Sequence, residues 1–167
     1  MATVTTAYLL LHALAEVVPS SPTGGNLQAP LLNTTGGRRW TDGQTSGKVD
    51  RAYIRRRSGL GIGASDTYNL LAAGALEDIA GQTIDADELK GIMIRCTSGA
   101  INMTRPAANG LTIFTAVSQG IHLVSGQAVA FDLGAAGVDV TTASQFLVTE
   151  SSGTATADYE LWLIVAQ

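Results

Sequence analysis

The chain has one cysteine, Cys96, in 167 residues, so no intramolecular disulfide can staple it. Charge is scarce as well: Asp, Glu, Lys and Arg make up 14% of the residues against 46% apolar ones, a balance opposite to that of a disordered chain. No apolar run reaches the length a membrane-spanning helix needs. The segment Ala7–Ala15 is too short to span a bilayer. No Lys or Arg precedes Arg38, so the basic start of a signal peptide is missing too. The two histidines, His12 and His122, lie far apart with no cysteine near either. A zinc site is therefore not expected, and no Ser-His-Asp or Cys-His set can be assigned from spacing. The expectation is a protein that is not an enzyme and has no cofactor and no membrane span.

Nineteen glycines and many Thr, Ser and Ala residues are what remains, and they point to short strands joined by tight turns. A length of 167 residues suits one domain with a substantial core. Cys96, in a reducing compartment, reads as a small buried apolar residue. Residues 1–57 hold seven basic residues and three acids, net +4. Residues 58–167 hold three basic residues and eleven acids, net −8, and the two sum to the overall −4. Such polarity points to an electrostatically directed partner.

Residues 1–49 read as an N-terminal arm. Helix propensity over 6–18, with Thr5 or Thr6 as cap and Pro19 as stop, predicts a short helix. A strand is the alternative that so short an apolar run leaves open. Pro19, Pro22, Pro30, Gly24-Gly25 and Gly36-Gly37 then predict an extended segment that makes sense lying along another subunit. Residues 50–167 read as strands. Val49–Arg57 alternates. Thr67–Leu71 and Leu89–Cys96 follow, and Ser58–Gly63 is a flexible break without nucleotide-loop spacing. Gly120–Val124 and Gln127–Leu133 flank Ser125-Gly126, and Gln145–Thr149 and Tyr159–Val165 flank Ser151–Thr154. Both pairs are expected to be hairpins. In the last strand Tyr159, Leu161, Leu163 and Val165 share one face, and Glu160, Trp162 and Ile164 the other. Two largely apolar faces place it centrally or at an interface. The fold class expected is all-β, a sandwich or barrel.

Two clusters invite a function. The carboxylates Asp78, Asp85, Asp87 and Glu88 lack calcium-loop spacing and read as a solvated acidic loop. Arg38, Arg39, Trp40, Lys48, Arg51, Tyr53, Arg55, Arg56 and Arg57 form a basic patch with aromatics. Phosphate contact is one reading of it. An interface with an acidic protein surface is favoured, because the chain's pI is about 5.0 and weakens the nucleic-acid reading. Alternation puts Arg55 and Arg57 on one face with Tyr53 and Arg56 on the other with Ile54. Arg55 and Arg57 are expected to meet carboxylates of a neighbouring subunit or partner. The stem of Arg56 is expected to cover apolar surface. Trp162 joins this set, which is Arg38, Arg39, Trp40, Arg51, Arg55, Arg56, Arg57 and Trp162.

The stretch 66–96 carries a resemblance. A strand from Asp66, a Leu-x-Asp-x-x-Gly loop and a Leu-Lys-Gly-Ile-x-Ile strand place Leu76, Asp78, Gly81, Leu89, Lys90, Ile92 and Ile94 at the positions seen in small structural proteins of tailed bacteriophages. Over residues 40–167 the chain resembles head decoration or cement proteins of that kind. The resemblance implies a β-sandwich of jelly-roll character with an extended N-terminal arm and a symmetric homo-oligomer, most often a trimer. It also implies binding between subunits of the major capsid protein or other virion proteins, on a particle assembled in the host cytoplasm. A tail, baseplate or fibre component is the runner-up. The competing class is a carbohydrate-binding β-sandwich module, which would need a row of exposed aromatics that no strand shows among nine aromatics in all.

Overall fold

The computed structural model describes residues 6–9, 38–42, 48–49, 51–78 and 81–167. They form twelve strands: β1 (Thr6–Leu9), β2 (Arg38–Asp42), β3 (Lys48–Val49), β4 (Arg51–Leu60), β5 (Ser65–Asn69), β6 (Glu88–Ser98), β7 (Ala100–Thr104), β8 (Gly120–Val124), β9 (Ala128–Asp132), β10 (Val138–Asp139), β11 (Gln145–Glu150) and β12 (Ala157–Ala166). The one helical element among the described residues is a 3-10 turn at Ala72–Gly74. The chain is all-β.

Two antiparallel sheets make the body. The larger runs β4-β12-β6, with β9 and β10 both pairing the far edge of β6; the smaller runs β5-β11-β7-β8. Tight turns link them: β4 to β5, β6 to β7, β8 to β9, and β11 to β12. Each of these turns passes from one sheet to the other. This corrects the two expected hairpins. A type of β-turn is present at Val124–Gln127, with Gln127 N–H donating to Val124 C=O at 2.9 Å, yet β8 pairs β7 and β9 pairs β6. Likewise β11 and β12 lie in different sheets. Turn chemistry alone does not distinguish a hairpin from a corner. The choice belongs to the strands, whose apolar faces must both be covered. Gly99 sits in one such corner with φ +71°, where an added Cβ would lie 2.7 Å from the Thr156 carbonyl.

The core lies between the sheets. Ile92, Ile94 and Cys96 of β6, Tyr159, Leu161, Leu163 and Val165 of β12, and Phe146 and Val148 of β11 are buried there. Strand β12 is central, with β4 on one side and β6 on the other, as its two apolar faces require. Tyr68 stacks on Phe146 with centroids 5.0 Å apart and meets Tyr53 and Tyr159 edge-on. The loop from Leu70 to Asp87 closes one end by burying Leu70, Leu76, Ile84 and Ala86.

Within the segment 6–18, Thr6–Leu9 is extended rather than helical, and it pairs β2 from Thr6↔Thr41 to Leu9↔Arg38; residues 10–18 lie outside the described residues. Strands β1, β2 and β3 form a small sheet of their own. Val49 at its end is fully buried against Ile164 on the outer face of the large sheet, with Met93 and Ala130 packed beside them.

Candidate functional site

The arginine run falls on β4, which forms one edge of the large sheet. Ten residues long, it carries Arg51, Arg55, Arg56 and Arg57 and no carboxylate. Alternation holds for part of β4 only, since Arg55 is exposed although it shares a face with Tyr53. Tyr53 is buried, and Arg51 and Arg57 on the same face are half-buried. On the other face Ile54 is 49% exposed.

The partners differ from those expected. Arg57 Nε donates to Asp66 Oδ2 of its own chain at 2.9 Å, bridging β4 to β5 along the flank of the sandwich. Arg56 Nε lies 3.3 Å from Glu160 on β12, and its side chain is 83% exposed, so it reaches into solvent and does not cover apolar surface. Arg51 Nε lies 3.5 Å from Asp78. Arg55 is exposed. These pairings link residues 9 to 104 positions apart, and no local pattern could announce them.

On the outer face of the large sheet, register aligns Ile54, Trp162, Met93 and Ala130 across β4, β12, β6 and β9. Trp162 is half-buried in this apolar row. The next row holds Arg56, Glu160 and Arg95. The structure thus brings Trp162 beside the arginine strand. Arg38, Arg39 and Trp40 sit on β2, where they pair Leu9, Tyr8 and Ala7; their side chains lie outside the described residues.

Asp66, Tyr68, Tyr159, Lys90 and Glu150 supply polar groups to the interior. Asp66 anchors a chain of hydrogen bonds in which Tyr159 donates to its Oδ2 at 2.5 Å and the Tyr68 and Tyr159 hydroxyls lie 2.6 Å apart. A proton order that satisfies every group has Tyr68 donating to Tyr159 and Tyr159 to the carboxylate, with Arg57 completing it. Burial pushes the Tyr68 phenol up to about 12, and burial with the Asp66 contact pushes Tyr159 up further. Lys90 is fully buried; its Nζ donates to Ala135 C=O and Ala136 C=O, each at 2.9 Å, and to the Glu88 carboxylate. It sits where the β6–β12 register slips between Ile164 and Val165. A lysine inside Leu89–Ile94 was the sequence signal for this, since a charge in a two-sided apolar strand must find buried acceptors. Glu150 takes the Ser152 hydroxyl and the Gly63, Ser152 and Gly153 amides, which hold its carboxyl below the usual range.

The other motif residues are structural too. Asp78 Oδ1 accepts from Gln82 N–H at 2.9 Å, and Gly81 turns with φ +76°. Leu89, Ile92 and Ile94 are core. Cys96 is buried, which raises its thiol pKa. His122 Nδ1 is 2.8 Å from Asn102 Oδ1 and 3.3 Å from Ser151 Oγ. Ser65, Thr149, Asn102 and His122 align across all four strands of the small sheet, a row of hydrogen-bonding groups. No group of three or more His, Cys, Asp or Glu side chains among the described residues converges to hold a metal ion. Against protein-family models the chain has no match, and no curated protein is significantly similar to it.

Proposed function

We propose that this protein is a jelly-roll structural subunit of a tailed-phage virion. In this role it is a head decoration or cement protein that assembles as a homotrimer and binds between capsid subunits through its N-terminal region and its arginine-bearing strand. The observation that carries the reading is the strand order. Two four-position sheets, β9/β10-β6-β12-β4 and β5-β11-β7-β8, exchange the chain at four corners, and this eight-stranded plan is one that viral capsid domains use. The residues behind the phage resemblance support it. Leu76, Asp78, Gly81, Leu89, Lys90, Ile92 and Ile94 all serve the turn and the central strand of that plan. The half-exposed row around Trp162, beside arginines and next to the N-terminal strands, offers a surface suited to a protein partner.

Mass spectrometry of purified particles tests the reading. Hundreds of copies per particle mean a head protein, copies in threes or sixes mean the tail, and absence from particles refutes both. Sedimentation at micromolar concentration tests the trimer, which a stable monomer would refute. The row of hydrogen-bonding side chains on the small sheet favours a second reading, a carbohydrate-binding module of the same plan. No aromatic stands at the outward positions of that sheet to stack on a sugar ring, so the virion reading is preferred.

A further inference from the structure

One edge of β4 is paired by no described strand. The strand pairs β12 on its other side, and Ile54, Arg55, Arg56, Ser58 and Gly59 are exposed along it. Ser58 C=O already accepts from Arg57 Nη1 and Gly59 N–H donates to Asp158 Oδ1, so the stretch left for pairing is 54–57, about 13 Å of edge. Such an edge offers unpaired backbone donors and acceptors to any extended chain, and natural sheets guard against that with charge.

Here the charge chooses among chains. Were β4 to pair antiparallel with a second copy of itself about Arg56, Arg56 would face Arg56 and Arg55 would face Arg57. Like charges directly across a strand pair repel. A strand carrying carboxylates at successive positions meets the opposite situation: Arg55 and Arg57 attract on one face, Arg56 on the other. We infer that the β4 edge accepts an extended acidic segment of a partner protein as an added strand, with residues 54–57 supplying the backbone hydrogen bonds and Arg55 and Arg56 the choice of charge. Arg55 and Arg56 suit this because both are exposed, Arg56 even with Glu160 3.3 Å away, whereas Arg57 is half-buried against Asp66. This gives the arginine strand of the proposed virion role a binding mode, and it rests on that reading only for the partner's identity. The test needs no particles, so failure here is separable from absence of the protein in virions.

The probe is a fluorescein-labelled decapeptide with successive glutamates at its centre flanked by valines, with a counterpart carrying lysines at the same positions, titrated into the full chain while anisotropy is followed. Amide hydrogen exchange is measured with and without peptide. Expected is binding of the glutamate peptide and not the lysine one, weakened by salt, with new protection of amides within 54–57. R55E/R56E should lower the glutamate peptide's affinity about tenfold and bind the lysine peptide instead. Equal binding of both peptides, or binding with no protection within 54–57, overturns the inference. Should R55E/R56E melt well below the wild type, the exchange measurement on the wild type decides alone.

Discussion

Replacing Tyr159 by Phe removes one oxygen and should cost more than its size suggests. That hydroxyl donates to Asp66 and lies 2.6 Å from the Tyr68 hydroxyl, which needs it as acceptor. A hydrogen bond to a charged group contributes about 1.5–3 kcal/mol, and a buried hydroxyl left without a partner costs about 1–3. Together these put Tyr159→Phe near ~3 kcal/mol, or roughly 6–12 °C in Tm for a domain of this length. Tyr68→Phe removes the end of the chain and leaves Tyr159 bonded to Asp66, so it should cost about 1 kcal/mol. The double variant should be no worse than Tyr159→Phe, because the stranded Tyr68 hydroxyl is gone, which amounts to a coupling of about 1–2 kcal/mol. Urea unfolding of the four proteins measures this. Equal losses for the two single variants, or simple additivity, would refute the proposed order of donors. The same network sets an alkaline limit. The unfolded chain ionises its tyrosines near ~10. Tyr68 holds its proton to about 12 and Tyr159 beyond that. Folded values above unfolded ones mean a contribution that is complete below about pH 10 and lost as pH rises through about 12.

Further outcomes follow from single side chains. Lys90→Met should leave the Ala135 and Ala136 carbonyls without their donor, cost about 2–4 kcal/mol and speed amide exchange in 133–137, read by hydrogen exchange. Gly99→Ala forces a left-handed backbone and a Cβ against the Thr156 carbonyl; thermal melting should show a loss of about 2 kcal/mol or more. Glu150 is held below the ordinary carboxylate range, so its contribution is present above that range and is lost as pH falls through the lowered value. Glu150→Gln should therefore flatten the acid limb of a plot of Tm against pH while lowering Tm at neutral pH. Replacing Arg55 and Arg57 separately by Ser should divide their roles: Arg57→Ser lowers stability through Asp66, and Arg55→Ser leaves the melting temperature nearly unchanged.

What could be read from the chain tracks the range of the interaction that decides it. The apolar faces of 159–165 place β12 at the centre because both faces must be covered, and that requirement is local. The Asp78 turn follows for the same reason, since its partners, Gly81 and Gln82, lie within four residues. The corner at Ser125-Gly126 does not, because whether the chain folds back or crosses over depends on β6 and β7, more than twenty residues upstream. Nor does the fate of the arginines. Alternation assigned their faces and left their partners open. Arg57 turns inward because β5, one corner away, brings Asp66 to the same flank, and Arg56 meets Glu160 because β12 arrives from the far end of the chain.

That division bears on how a basic patch is interpreted. Counted along the sequence, four arginines in seven residues look like a single surface for one partner. Placed on β4 they separate into groups with different duties. Arg57 and Arg51 are half-buried and meet Asp66 and Asp78, so they tie the strand to the body of the fold. Arg55 and Arg56 stand at the solvent edge, where a charge contributes little to folding and much to which strand can approach. A contribution to stability and a contribution to recognition can therefore sit on adjacent residues of one strand, separated by a single step of the pleat. Substituting the whole run together would mix the two, and a loss of binding could then arise from loss of fold. Only substitutions confined to Arg55 and Arg56, with melting measured alongside, separate them.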